Sequence, residues 1–149
     1  MGQRLTAYMN PSETVEWATP EDLFNELNAI HSFTLDVAAS KDNALCSEYF
    51  GLDHVDESRR DGLAAKWYGR VWCNPPYGRV IKDWVKKAQE HDDLVVMLLP
   101  SRTDTKWFHE LVLPYAEVQF IKGRLKFGGS KLGAPFPSII VTYTQPVDK

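Results

Sequence analysis

Apolar positions along this chain fall into short runs whose spacing alternates between that of helices and that of strands. The opening is polar and unpatterned, and a loosely held arm is expected over residues 1–14. Leu23, Phe24, Leu27 and Ile30 then form a stripe at helical spacing. Thr19-Pro20-Glu21-Asp22 marks the start of that helix, with Thr19 suited to the N-cap, Pro20 to the first helical position and Asp22 to a capping-box carboxylate. Phe33–Val37 reads as a short strand that ends in the small-residue turn Ala38-Ala39-Ser40. A short helix is expected between Asn43 and Tyr49, and an acidic loop between Leu52 and Asp61. Val71-Trp72-Cys73 is a strand that runs directly into Asn74-Pro75-Pro76-Tyr77-Gly78, and Ile81, Trp84, Val85 and Ala88 mark the helix after it. Leu94 to Leu99 is an unbroken apolar run of six, which predicts a central strand covered on both faces. Trp107, Phe108, Leu111 and Val112 give the next helix. Val118–Ile121 and Ile139–Tyr143 are late strands, separated by a loop rich in glycine and lysine.

This alternation predicts an α/β layered fold with a mostly parallel sheet. Sheets of that kind bind ligands at the carboxyl ends of their strands. Asp36, Asn74 and the pair Ser101-Arg102 all fall at such ends.

Length and composition narrow the classes. The chain has 149 residues, which suits one domain spanning 1–149. No apolar run approaches the ~20 residues of a membrane span, and the N-terminus carries no signal-peptide pattern; a cytoplasmic protein that does not engage a membrane is expected. Cys46 and Cys73 form no CxxC pair, and the four histidines are scattered, so neither a disulfide framework nor a metal site is expected. Net charge is -3, which speaks mildly against a nucleic-acid partner. Its distribution changes that picture: residues 1–61 hold 12 acids and 4 bases (-8), whereas residues 62–149 hold 8 acids and 13 bases (+5). A basic half can face phosphate while the acidic half handles something else.

The loop after the third strand carries the chemistry. Two consecutive prolines fix φ and remove two amide donors, so the loop is stiff and its carbonyls point outward. The Asn74 side-chain carbonyl and the Pro75 backbone carbonyl are then two acceptors held close together. An aromatic amine offers two N–H donors. Held by both acceptors, its nitrogen loses conjugation with the ring, and its lone pair can attack a methyl sulfonium. Tyr77 offers a flat face on which a base can stack, worth about 1–3 kcal/mol. Reaching such an amine within a duplex requires flipping the nucleotide out, or a single-stranded target.

Asn74-Pro75-Pro76-Tyr77 resembles the catalytic motif of amino-methyltransferases acting on adenine N6. Its surroundings resemble the small phage and prophage DNA adenine methyltransferases (Dam-like), from Trp17-Ala18-Thr19-Pro20 through Leu35-Asp36-Val37-Ala38-Ala39 to Gly123-Arg124-Leu125-Lys126-Phe127. The resemblance implies a Rossmann-like, S-adenosylmethionine-dependent methyltransferase fold, mostly parallel with an antiparallel strand near the C-terminus; at 149 residues no separate target-recognition domain is expected. It implies that DNA is the partner, double-stranded with base flipping or single-stranded, in a bacterial host cell if the protein is phage-encoded. Asn74, Pro75, Pro76 and Tyr77 would form the catalytic loop.

For the cofactor, the resemblance implies Asp36 near the methionine amino group, Ala38 allowing close approach, Thr19-Pro20 at the methionine carboxylate, and Asp61 with Leu63 in the segment that reads the adenine. The turn after Asp36 departs from the pattern of many methyltransferases, because it holds alanines and a serine where they place glycines. Glu48 and Asp53 are both candidates for the ribose hydroxyls. Lys122, Arg124, Lys126 and Lys131, interleaved with Phe127 and flexible glycines, suit phosphate binding and base stacking, and Arg102 is a further phosphate candidate. Cys73 precedes Asn74 at a strand end and reads as a small buried hydrophobe, not a nucleophile. Two rivals use the same residues: a methyltransferase acting on a protein glutamine amide, and a nucleic-acid-binding module of this fold without cofactor. Target sequence, DNA against RNA, and oligomeric state stay open.

Overall fold

The structure is a computed structural model that describes residues 18–129 and 133–144; the expected N-terminal arm and Lys131 lie outside the described residues. Helix α1 spans Glu21–His31, strand β1 Leu35–Asp36, β2 Glu48–Tyr49, β3 Val71–Cys73, helix α2 Ile81–Glu90, β4 Val95–Pro100, β5 Glu117–Phe120 and β6 Ser138–Tyr143. Among the described residues these strands form one sheet in the order β2-β1-β3-β4-β6-β5. The first four are parallel, with Leu35 opposite Glu48 and Val71, and Val71 opposite Val95. Strand β6 inserts antiparallel between β4 and β5, in the register Leu98 to Ile140 and Gln119 to Ile140. Two reversals leave β5 running the same way as β4. The sheet is thus mostly parallel, as the alternation of elements implied, with an antiparallel C-terminal pairing.

The unbroken run in β4 has a simple cause: both faces of the sheet are covered. Val95, Met97 and Leu99 face a layer built from Ile81, Trp84, Val85 and Ala88 of α2 with Phe108 and Val112. Val96 and Leu98 face the opposite way, toward Phe24 of α1, Phe33 and Trp72. All six residues of β4 are buried, and each apolar side chain so removed from water contributes about 1.5–3 kcal/mol. Under α1 the packing is aromatic, with the Trp72 ring 5.5 Å from Phe24 and 5.6 Å from Phe33. The helix expected around Trp107–Val112 closes as one π-helical turn over Phe108–Val112, with the Leu113 N–H reaching back to the Phe108 carbonyl at 2.9 Å. That wider turn buries Phe108 and Val112 and leaves Trp107 half-buried.

Two local expectations are corrected. No helix forms between Asn43 and Tyr49: the chain makes a turn over 41–43 and then pairs Glu48–Tyr49 with β1. The Asn43 carboxamide there accepts from the Ser40 N–H at 2.7 Å, and the Asp36 carboxylate accepts from the Leu45 N–H at 3.1 Å, so local amides are satisfied without a helix. At the start of α1 the N-cap is Pro20, with ψ 129, and no side chain caps the helix. Thr19 is therefore not the cap. Its hydroxyl is engaged elsewhere.

Candidate active site

Parallel strands β1, β3 and β4 lie side by side and deliver Asp36, Asn74 and Ser101-Arg102 to one edge of the sheet. Strand β5 ends at the same edge, so the loop that follows it, with Lys122, Arg124 and Lys126, lies there too. Tertiary contacts tie these segments together. The Asn74 Nδ2 donates to Thr19 Oγ1 at 3.0 Å. The Gly128 N–H donates to the Ala18 carbonyl at 2.9 Å, which seats the turn after Phe127 on the segment before α1.

Asp36 is 3% exposed. Its carboxylate accepts from the Leu45 N–H at 3.1 Å and the Ala38 N–H at 3.4 Å. Burial pushes its pKa up from 3.8 to about 7, against the pull of those two amides. A carboxylate held this far from water is stabilised by any cation brought beside it. The turn after it contains no glycine, yet close approach is achieved from the other side. A Cβ on Gly62 would stand 2.1 Å from the Val37 carbonyl oxygen and 2.6 Å from the Trp84 ring, and one on Gly51 would stand 1.8 Å from the Ala39 carbonyl oxygen. Glycines missing from the turn are supplied by the segments packed against it.

Asp61 lies exposed beside that cradle. Its carboxylate accepts from the Leu63 N–H at 2.9 Å and its backbone carbonyl from the Ala65 N–H at 2.9 Å, which holds half-buried Leu63 in place. The two acids weighed for ribose are both engaged. Glu48 accepts from Tyr68 Oη and Arg59, each at 2.8 Å, and these partners hold its carboxyl below the usual range. Asp53 accepts from the Lys41 N–H at 2.9 Å and the Tyr49 hydroxyl at 3.2 Å.

In the proline loop, Pro75 is buried and Asn74 and Pro76 are half-buried. No hydrogen bond among the described residues uses the Pro75 carbonyl. Tyr77 is not presented as an open face: it is 6% exposed, its hydroxyl donates to the Leu98 carbonyl at 3.2 Å, and burial raises its pKa. Phe127, 1% exposed, stands edge-on to it with centroids 6.5 Å apart, and Phe136 closes the cluster at 5.5 Å. As folded here, Tyr77 and Phe127 brace the loop against β4, and the flat surface expected for a base is covered. Phe136 was missed in the sequence because it lies in an unpatterned stretch.

Arg102, Lys122, Arg124 and Lys126 are exposed, and none makes an ion pair among the described residues. Arg124 also donates to the Ala134 carbonyl at 3.2 Å, so it helps shape its own loop. Arg79, just after the proline loop, is equally exposed and without an ion pair, and was not picked out from the sequence. Among the described residues no cluster of histidine, cysteine or carboxylates could hold a metal ion, and no helix is long and apolar enough to cross a membrane. Cys73 is fully buried, and burial raises its thiol pKa well above the ordinary value.

Comparison with known proteins adds to this geometry. The family model described as DNA N-6-adenine-methyltransferase (Dam) matches residues 8–142. A DNA N-6-adenine-methyltransferase of Escherichia phage T1 is 34% identical over 116 residues, covering 73% of this chain and 45% of the relative. One of Haemophilus phage HP1 (strain HP1c1) is 29% identical over 124 residues, covering 78% of this chain and 68% of the relative. The chain thus spans under half the length of the phage T1 relative.

Proposed function

The chain belongs to the DNA N-6-adenine-methyltransferase (Dam) family, and from that premise we propose that it transfers a methyl group from S-adenosylmethionine to the exocyclic amine of adenine in DNA, on a Rossmann-like methyltransferase fold. The observation that carries the reading is the placing of the Asn74 amide, fixed by Thr19 at the carboxyl edge of the parallel strands next to buried Asp36.

The residues at this edge fit the cofactor. Asp36 is a buried carboxylate whose hydrogen-bond partners among the described residues are two neutral backbone amides, a donor set suited to an incoming ammonium. Gly62 and Gly51 mark where the wall around Val37–Ala39 is packed to backbone distance, with Ala38 between them. In this reading Asp36 takes the amino group, Thr19 and Pro20 face the carboxylate at the amino end of α1, where a helix favours an anion, and Asp61 with Leu63 borders the adenine. When bound, S-adenosylmethionine supplies a methyl on a sulfonium, a good leaving group.

The protein's own part is orientation. The Asn74 and Pro75 carbonyls accept the two N–H groups of the adenine amine, drawing its nitrogen out of conjugation so that it can accept carbon. The amine is neutral, so no side chain must remove a proton beforehand, and one proton leaves to solvent afterwards. Tyr77, Phe127 and Phe136 stiffen the loop that holds these acceptors. Placing groups in this way is worth several orders of magnitude in rate when the geometry is held tightly. Arg102, Lys122, Lys126 and Lys131, with Arg79 added, bind phosphate, and the 122–137 loop is the segment within this chain best placed to influence base choice. Exposed cations without an ion pair among the described residues, Arg79, Arg102, Lys122 and Lys126, favour nucleic acid over a protein glutamine amide as substrate. We place the activity in the cytoplasm, that of a bacterial host cell if the protein is phage-encoded.

Incubation with labelled cofactor and unmethylated DNA, followed by nucleoside analysis, is expected to yield labelled N6-methyladenine. Asn74→Ala is expected to abolish the label while the cofactor Kd stays within about threefold. An Asn74→Ala protein as active as the parent would remove the assigned role.

A further inference from the structure

We propose that Thr19 is a positioning residue that decides which end of the Asn74 amide faces the substrate, an inference that rests on Asn74 being the acceptor for the amine. A carboxamide has an acceptor end and a donor end. Only the acceptor end can hold an N–H of an aryl amine; the reverse orientation sets donor against donor. Strand β3 delivers the Cα of Asn74, but rotation of the amide about its last torsion is soft. One contact that restrains it comes from elsewhere in the chain: Thr19 Oγ1 accepts from Asn74 Nδ2 at 3.0 Å, across 55 residues of sequence. A hydroxyl can meet either end of an amide, but one whose O–H is given to a carboxylate of the cofactor can only accept, which commits Nδ2 to Thr19 and holds the acceptor end in the opposite sense.

Thr19 is itself well anchored. The carbonyl before it, on Ala18, accepts from the Gly128 N–H at 2.9 Å, and the carbonyl after it, on Pro20, accepts from the Phe24 N–H at 3.2 Å. The hydroxyl is not diverted into capping α1, since the helix has no side-chain cap. A threonine hydroxyl that accepts from Asn74 keeps its own O–H to donate. The same oxygen can therefore steady the amide while donating to a carboxylate of the cofactor, so that cofactor and substrate-orienting group meet on one atom. A threonine that served the cofactor alone would need no bond to Asn74.

Two variants, Thr19→Val and Thr19→Ser, separate these roles in the full chain. Single-turnover methylation is measured at saturating S-adenosylmethionine, and the cofactor Kd is measured separately. Thr19→Val is expected to slow methyl transfer about 10- to 100-fold even at saturation, and Thr19→Ser, which keeps the hydroxyl, is expected to restore the rate to within about threefold of the parent. If Thr19→Val raises the Kd but leaves the saturated rate unchanged, Thr19 is a cofactor contact only and the proposal fails. An independent readout is the side-chain amide signal of Asn74 in a nitrogen-15 correlation spectrum, identified by its loss in Asn74→Ala. It is expected to shift in Thr19→Val and to stay in place in Thr19→Ser; an unmoved signal in both variants overturns the link. Should the parent protein methylate no adenine, the proposed function falls, and the amide signal by itself then decides whether Thr19 holds Asn74.

Discussion

Lowering the pH from about 8 to about 5.5 is expected to stabilise the cofactor-free protein through one side chain, Asp36. Its carboxyl is buried, and the loss of water raises its pKa from 3.8 to about 7 in the folded state, with the Leu45 and Ala38 amides pulling the other way. Between those two values the folded protein holds a proton that the unfolded chain has released. Stability therefore rises as pH falls toward the unfolded value, by about 1.4 kcal/mol per unit. Above the folded pKa the gain is absent; from there down to pH 5.5 it reaches about 2 kcal/mol. Glu48 and Asp56 work in the opposite direction, because their partners lower their pKa values from 4.5 and 3.8. Their stabilisation is lost only as pH falls below those values, outside this window. Urea unfolding followed by tryptophan fluorescence at both pH values measures the difference, and Asp36→Asn removes the titrating group. The reasoning is refuted if the parent and Asp36→Asn show the same change in stability with pH.

Gly62→Ala is expected to destabilise the protein by roughly 2–4 kcal/mol, since a Cβ there has neither space beside the Val37 carbonyl nor beside the Trp84 ring; chemical denaturation reads the loss, and an unchanged midpoint shows that the wall yields. Replacing Arg102, Lys122 and Lys126 together by glutamine is expected to weaken DNA binding at low salt and to reduce the slope of log K against log salt by up to about 3. Fluorescence anisotropy at several salt concentrations gives that slope, and an unchanged one places the DNA on another face.

Hydrophobic period alone sufficed for the layered fold. A run buried on both faces, such as Leu94–Leu99, and an amphipathic stripe, such as Ile81 to Ala88, leave few alternatives, because burial of apolar surface dominates folding. The proline loop was equally legible, since two adjacent prolines between a strand and a helix limit the backbone to few conformations. Short pieces were not. The segment from Asn43 to Tyr49 reads as a short helix, and only pairing with Leu35 and Asp36 makes its last two residues, Glu48 and Tyr49, a strand.

What the sequence by itself determined is local: which of the longer segments are strands or helices, and that a stiff Asn-Pro-Pro-Tyr loop ends one of them. What tertiary structure decided is partnership across long separations. Thr19 gives up its cap to hold Asn74, Tyr77 turns into an aromatic cluster with Phe127 and Phe136, and Gly51 and Gly62 supply the close approach missing from the turn after Asp36. None of these can be read from spacing, because a side chain's period along its own segment carries no information about the surface that another segment will press against it.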